Sequence, residues 1–215
     1  MAHQRRICRN PNHPKKGSST KVEPIRSLED IQKVKDILAS NKRDLCLFTL
    51  GINTAYRASE LVSITVGQVI GKRAGDTLTV KQSKNKKHRT VTLNDNAVQS
   101  IREWLIHHPC PHERSAPLFP SKTTGKALKA NTVSKYAKHW CKMAGLNGTF
   151  SSHTMRKSWG FHVYRHANPV RQDHGSHRKI AELMIAYGHA SERQTLEYLC
   201  IHDQDISELY MSTRL

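Results

Sequence analysis

The sequence predicts a mostly helical α+β domain with one small antiparallel β-hairpin. Three observations predict it. Apolar residues recur at helical spacing in one segment after another beyond Ser27. Two β-prone stretches, 77–80 and 90–93, flank a polar turn. Hydrophobic residues make up 37% of 215 positions, enough for the core of one ordinary domain.

Residues 1–24 read as a basic, disordered arm. They carry Arg5, Arg6, Arg9, Lys15, Lys16 and Lys21 among prolines and small polar residues. The domain proper spans 25–215. Ser27 and Asp30 have the spacing of a capping box ahead of Leu28, Ile31, Val34 and Leu38. The apolar run Leu45, Cys46, Leu47, Phe48 and Leu50 predicts a buried helix over 43–54, and Leu61 and Ile64 predict another over 58–65. The hairpin follows, its turn rich in Lys84, Lys86 and Lys87. Asn94 then caps a helix with Val98, Ile101 and Leu105 on one face. The Pro-rich stretch 109–120 is loop. Asn131 is the expected cap of a helix with Val133, Tyr136, Ala137, Trp140 and Met143, ended by Gly145. Further helical patterns lie over 154–167, 176–186, 192–200 and 203–211, with a polar loop expected within 166–179.

Charge narrows the function. Thirty-five Lys and Arg oppose 17 Asp and Glu, a formal net charge of +18. Such a balance suits a polyanionic partner, and nucleic acid is the usual one. No segment joins a basic face to a strongly apolar one, as a membrane-surface helix requires. No run of eighteen apolar residues predicts a transmembrane helix, and the N-terminus lacks the apolar stretch of a secretory signal. Cys8, Cys46, Cys110, Cys141 and Cys200 are odd in number and lack CxxC spacing, which fits a reducing cytoplasm. Fourteen histidines invite a metal reading, but His3, Cys8 and His13 match no common zinc spacing. No metal or other cofactor is expected.

Breaking a DNA phosphodiester without a metal poses three problems. Negative charge on the phosphate oxygens needs guanidinium forks, which keep their charge at any working pH. The leaving sugar oxygen needs a general acid. The nucleophile must be placed and must form a reversible bond, and a phenol suits this because its oxygen leaves more easily than a sugar hydroxyl. Candidates exist for each part. Arg57 stands at a helix boundary before Ser59, Glu60 and Leu61, and Glu60, one turn on, is placed to orient its neighbours. Lys84 lies in the hairpin turn. His153 and Arg156 share a helix face. His189 follows Gly188, and Tyr198 comes nine residues later. Each signal is weak alone: the H-x-x-R spacing recurs at His3/Arg6 and His162/Arg165.

Their order is more specific. Arg57 with Ser59, Glu60 and Leu61, then Lys84, His153/Arg156, Gly188-His189 and Tyr198 resemble the tyrosine recombinase (phage integrase) family across most of the chain. The resemblance implies that family's catalytic fold, with Arg57, Arg156, His153 and His189 around the scissile phosphate. It implies Lys84 as the acid for the 5′ oxygen and Tyr198 as the nucleophile that holds the 3′ phosphate. It also implies double-stranded DNA as partner, a homo-tetramer on paired sites, and a cytoplasmic, nucleoid-associated enzyme of DNA recombination and integration.

There are departures. Lys157 stands where the family often has His or Arg after H-x-x-R, and Tyr187 replaces the Leu before Gly188-His189. Lys86 and Lys87 compete with Lys84. The stretch before the first helix is too short for the family's helical core-binding domain, so none is expected here. Segment 202–215, with Ile206, Leu209 and Tyr210 at helical spacing, is a candidate docking helix. A recombinase-like DNA-binding protein without cleavage and a type IB topoisomerase-like activity remain the alternatives.

Overall fold

A computed structural model describes residues 21–82, 87–165 and 175–201, with backbone alone for 175–178. In chain order the elements are α1 (Leu28–Leu38), α2 (Lys42–Thr54), α3 (Ala58–Leu61), α4 (Val66–Val69), β1 (Thr77–Lys81) and β2 (His88–Thr92). Then come α5 (Asp95–Ile106), α6 (Ala130–Met143), α7 (Ser152–Arg165), α8 (Gly175–Tyr187) and α9 (Glu192–Leu199).

Local chemistry explains most boundaries. The Ser27 hydroxyl accepts from the N–H groups of Glu29 and Asp30 and starts α1. Asn41 and Asn94 do the same for α2 and α5, accepting from Asp44 and Ala97. Gly145, at φ 73°, follows the cap of α6 as a residue free of Cβ strain. Four expectations change. The helix expected over 58–65 ends at Leu61, because Thr65 is extended, pairs with Pro117 and caps α4. Ile64 is buried all the same. The cap of α6 is Lys129, not Asn131, which lies inside the helix. Leu28 is 60% exposed, so the buried face of α1 is Ile31, Val34 and Leu38 alone. The helical pattern at 203–211 lies outside the described residues. Of the polar loop expected within 166–179, residues 166–174 lie outside the described residues and 175–179 belong to α8.

The two strands pair antiparallel from Thr77↔Thr92 to Lys81↔His88. Leu78 and Val80 point inward, while the Thr79 and Thr90 hydroxyls meet at 2.8 Å on the outer face. The Tyr56 hydroxyl donates to the Leu78 carbonyl at 2.5 Å and pins the hairpin to the end of α2.

The main core is built from α1, α2, α5, α6 and the hairpin, with Phe48 packed edge-on against Trp140. A second, smaller cluster joins Ala55, Leu183, Tyr187 and Leu199, with Trp159 and Tyr198 at its margin. Helix α7 lies between them, sending Met155 to the first and Trp159 to the second. It is buried along most of its length, yet Thr154, Arg156, Lys157 and Ser158 are among its buried residues. Segment 22–26 also packs on α7, and Ile25 is 2% exposed.

Gly160 of α7 makes room for Tyr187, whose hydroxyl donates to the Arg156 carbonyl at 2.8 Å. A Cβ at Gly160 would lie 1.9 Å from that hydroxyl and 2.8 Å from Leu199. Both a buried, hydrogen-bonded tyrosine and a buried leucine would have to give way. Gly160→Ala should therefore destabilise the fold by about 1–3 kcal/mol despite its better helix propensity. Urea denaturation checks this, and adding Tyr187→Phe should recover part of the loss.

Candidate active site

Helix α2 ends at Ala55 in the left-handed conformation, φ 52°, with the residue fully buried. The turn reverses the chain so that Arg57 becomes the N-cap of α3. The carbonyls at this end of α2 carry the negative pole of the helix and attract cations. Two guanidiniums meet the Ala55 carbonyl: Arg156 from α7, and Arg89 from β2 at 2.8 Å. Arg156 also donates to the Tyr187 carbonyl at 3.3 Å and stacks 4.5 Å from that ring. It is 3% exposed, so its orientation is fixed by protein groups.

Glu60 is the counter-charge. It is 1% exposed, and its carboxylate accepts the Arg57 backbone N–H at 2.6 Å and the Arg57 guanidinium at 3.1 Å. It also accepts from Gln82 at 3.0 Å and Arg89 at 3.3 Å. A buried carboxylate is tolerated only with such saturation. The result links α3 to β2 and to the residue just after β1, and leaves the Arg57 side chain 43% exposed toward solvent.

His153 sits in the first turn of α7, one turn before Arg156. Its Nδ1 lies 3.2 Å from the Tyr198 hydroxyl, across 45 residues of sequence. His189 follows the left-handed Gly188 (φ 70°) at the end of α8. Its Nδ1 is 3.0 Å from the Thr195 hydroxyl, and its ring stacks on Tyr187 and meets Tyr198 edge-on. Tyr198 thus lies in an aromatic niche formed by His153, Tyr187 and His189. Five sequence candidates, Arg57, His153, Arg156, His189 and Tyr198, therefore come together from α3, α7, α9 and the α8–α9 turn. Lys84 and Lys86 lie outside the described residues. Lys87 lines a cleft of about 870 Å³ beside Arg57, Arg89, Tyr187 and Gly188. A larger hollow of about 1050 Å³, between 39–43 and 115–122, contains none of the candidates.

The electrostatics follow from burial and crowded positive charge. Burial lowers the pKa of Arg156 to about 10, with Arg89 adding to the effect, so Arg156 remains a cation at neutral pH. Burial first, then Arg156, Lys157 and Arg57, push His153 below its ordinary range; burial, Arg156 and Arg57 do so for His189. Tyr198 is raised by burial, against the pull of Arg156, Arg57 and Arg89. The arrangement therefore offers a protonated phenol, a neutral imidazole within reach of its proton, and fixed guanidiniums beside both. Among the described residues no cluster of three or more His, Cys, Asp or Glu has the arrangement to hold a metal ion.

The model of the phage integrase family matches residues 26–194. The chain belongs to this family. A probable integrase/recombinase, YoeC, from Bacillus subtilis (strain 168) is 31% identical over 88% of the chain and 95% of its own length. The tyrosine recombinase XerC of Caldanaerobacter subterraneus subsp. tengcongensis is 28% identical over 94% of the chain; the match spans 55% of that relative. Among solved structures, XerA recombinase superposes with a TM-score of 0.69 at 20% identity, covering 98% of the chain and 70% of XerA. The XerH recombinase bound to a palindromic difH substrate gives 0.65 at 19%, covering 93% of the chain and 55% of XerH. These two likenesses show the fold: the tyrosine recombinase catalytic domain, mostly helical with a small two-stranded sheet.

Arg89 escaped the sequence reading, and Lys157 entered it only as a departure from the family pattern. Arg89 alternates with Val91 and Leu93 on one strand face, and an arginine on an otherwise apolar face signals a buried partner. Lys157 follows Arg156 on α7, and its burial has no comparable signal in the sequence. Arg89→Met should cost about 2 kcal/mol through the charged hydrogen bonds it removes, measured by urea denaturation. Stability should also fall as pH drops from about 7 toward 5. A histidine whose folded pKa is depressed contributes stability above its unfolded pKa, and that contribution is lost as pH falls and the unfolded chain takes up the proton first. Replacing His153 and His189 with Gln should flatten that slope.

Proposed function

We propose that this chain cleaves and rejoins double-stranded DNA at a specific site through a covalent bond to Tyr198. The observation that carries the reading is the placement of the Tyr198 hydroxyl 3.2 Å from His153 Nδ1, beside the anchored Arg156. Tyr198 attacks phosphorus and the bond from phosphorus to the 5′ oxygen breaks. The phenolic proton passes to the neutral imidazole of His153, and Lys84 of the hairpin turn gives a proton to the leaving oxygen. Arg57, Arg156 and His189 hold the phosphate oxygens as charge grows on them. Attack of a 5′ hydroxyl on the phosphotyrosine reverses each step and releases Tyr198. No step calls on a metal or cofactor.

The charge of +18 supplies affinity for the DNA backbone, weakening with salt. The basic residues ahead of Val22 add phosphate contacts, and segment 202–215 docks onto a neighbouring copy. The assembly is a homo-tetramer on paired sites, and the setting is the cytoplasm, at the nucleoid. A lambda integrase with the same fold has been captured as a tetramer bound to a Holliday junction.

A nicked duplex that traps the intermediate tests the reading. Wild-type protein should form a denaturant-resistant adduct in EDTA, and Tyr198→Phe should form none. Arg57→Ala or Arg156→Ala should lower adduct formation by about 10²–10³-fold while leaving most DNA affinity intact. Lys84→Ala should recover on a substrate with a good 5′ leaving group. An adduct that survives Tyr198→Phe refutes the nucleophile, and failure of that rescue moves the acid to Lys86 or Lys87.

A further inference from the structure

Lys157 is a buried ammonium to which the cleavage chemistry gives no task. The residue is 6% exposed, and among the described residues no carboxylate pairs with it. Its Nζ donates to the Val22 carbonyl at 2.7 Å and to Cys200 Sγ at 3.4 Å, and lies 4.8 Å from the centre of the Tyr198 ring. Burying a cation is costly, so the contacts it makes must hold it there.

Two of these contacts lie at the end of α9, and the third, Val22, itself meets Cys200. Cys200 is its C-cap, in the left-handed conformation at φ 58°, two residues after Tyr198. The Cys200 thiol donates to the Val22 carbonyl at 3.4 Å, and Arg26 donates to the Cys200 carbonyl. Segment 22–26 is itself fastened to α7. The Ile25 N–H donates to the Ser158 hydroxyl at 2.7 Å, and the Ile25 carbonyl meets His162 Nε2 at 3.0 Å. Helix α9 has eight residues, too few to hold its own geometry, so packing sets where its last turn lies.

We propose that Lys157 is a positioning residue for Tyr198. Together with segment 22–26 it clamps the end of α9 and fixes the phenol against His153. The inference rests on Tyr198 being the nucleophile.

The test compares single-turnover adduct formation on the nicked duplex with DNA affinity and Tm. Lys157→Met keeps the aliphatic stem and removes the charge. It should slow adduct formation about tenfold or more, because a small misplacement of a reacting group is expensive. DNA affinity should change by less than about twofold, since a buried lysine makes no phosphate contact. Lys157→Arg should restore most of the rate. Ser158→Ala loosens the strap without touching Tyr198 and should slow the adduct about threefold, and the double variant should be no slower than Lys157→Met. A wild-type rate in Lys157→Met, a loss that only tracks Tm or affinity, or effects that multiply in the double variant overturns the proposal. If Lys157→Met does not fold, Ser158→Ala carries the test, and a wild-type rate there is equally decisive. A wild-type protein forming no Tyr198-dependent adduct overturns the nucleophile reading and this one together. A wild-type adduct with an unaffected Lys157→Met overturns this one alone.

Discussion

The end of α2 governs the site. One backbone carbonyl, that of Ala55, faces into the protein where water cannot reach it, and two arginines from distant parts of the chain satisfy it. An unmade hydrogen bond there would cost the full desolvation of the group, so the carbonyl and the guanidiniums specify one another. Arg156 enters from α7 and Arg89 from the hairpin. The same reversal of chain presents Arg57 at the start of α3. Three arginines separated widely in sequence are thus oriented by a single turn, and Glu60 beneath them keeps their mutual repulsion from opening it.

Four cations close to one tyrosine would be unstable together in an apolar interior. Arg57 escapes the problem by exposure, Arg89 by Glu60, Arg156 by carbonyls and an aromatic face, and Lys157 by a carbonyl and a thiol. The histidines respond by staying neutral, which leaves His153 able to take a proton from Tyr198. A phosphate diester arriving among these groups lowers the repulsion that each feels from the others. On the proposed reading, binding and transition-state stabilisation draw on the same preorganised field.

Much of the fold was legible because α1, α2, α5 and α6 each present an apolar face to a common core, and Ser27 and Asn94 cap in the ordinary way. Helix α7 was harder to read. It is buried on most sides by polar contacts, so its burial leaves little apolar periodicity. The break between α3 and α4 depends on the pairing of Thr65 with Pro117, a contact across fifty residues that no local pattern encodes. At the site, the order and spacing of Arg57, His153/Arg156, His189 and Tyr198 made them visible. Arg89 and Lys157 serve the same place through partners that only the folded chain brings near, the Ala55 carbonyl and Val22.

The contact between Val22 and Cys200 also closes the domain on itself. Two points separated by nearly the whole described chain meet within a hydrogen bond, on the flank of α7 and next to Tyr198. The first and last stretches of the described chain therefore lie side by side, and a load on either is transmitted to the same turn of helix.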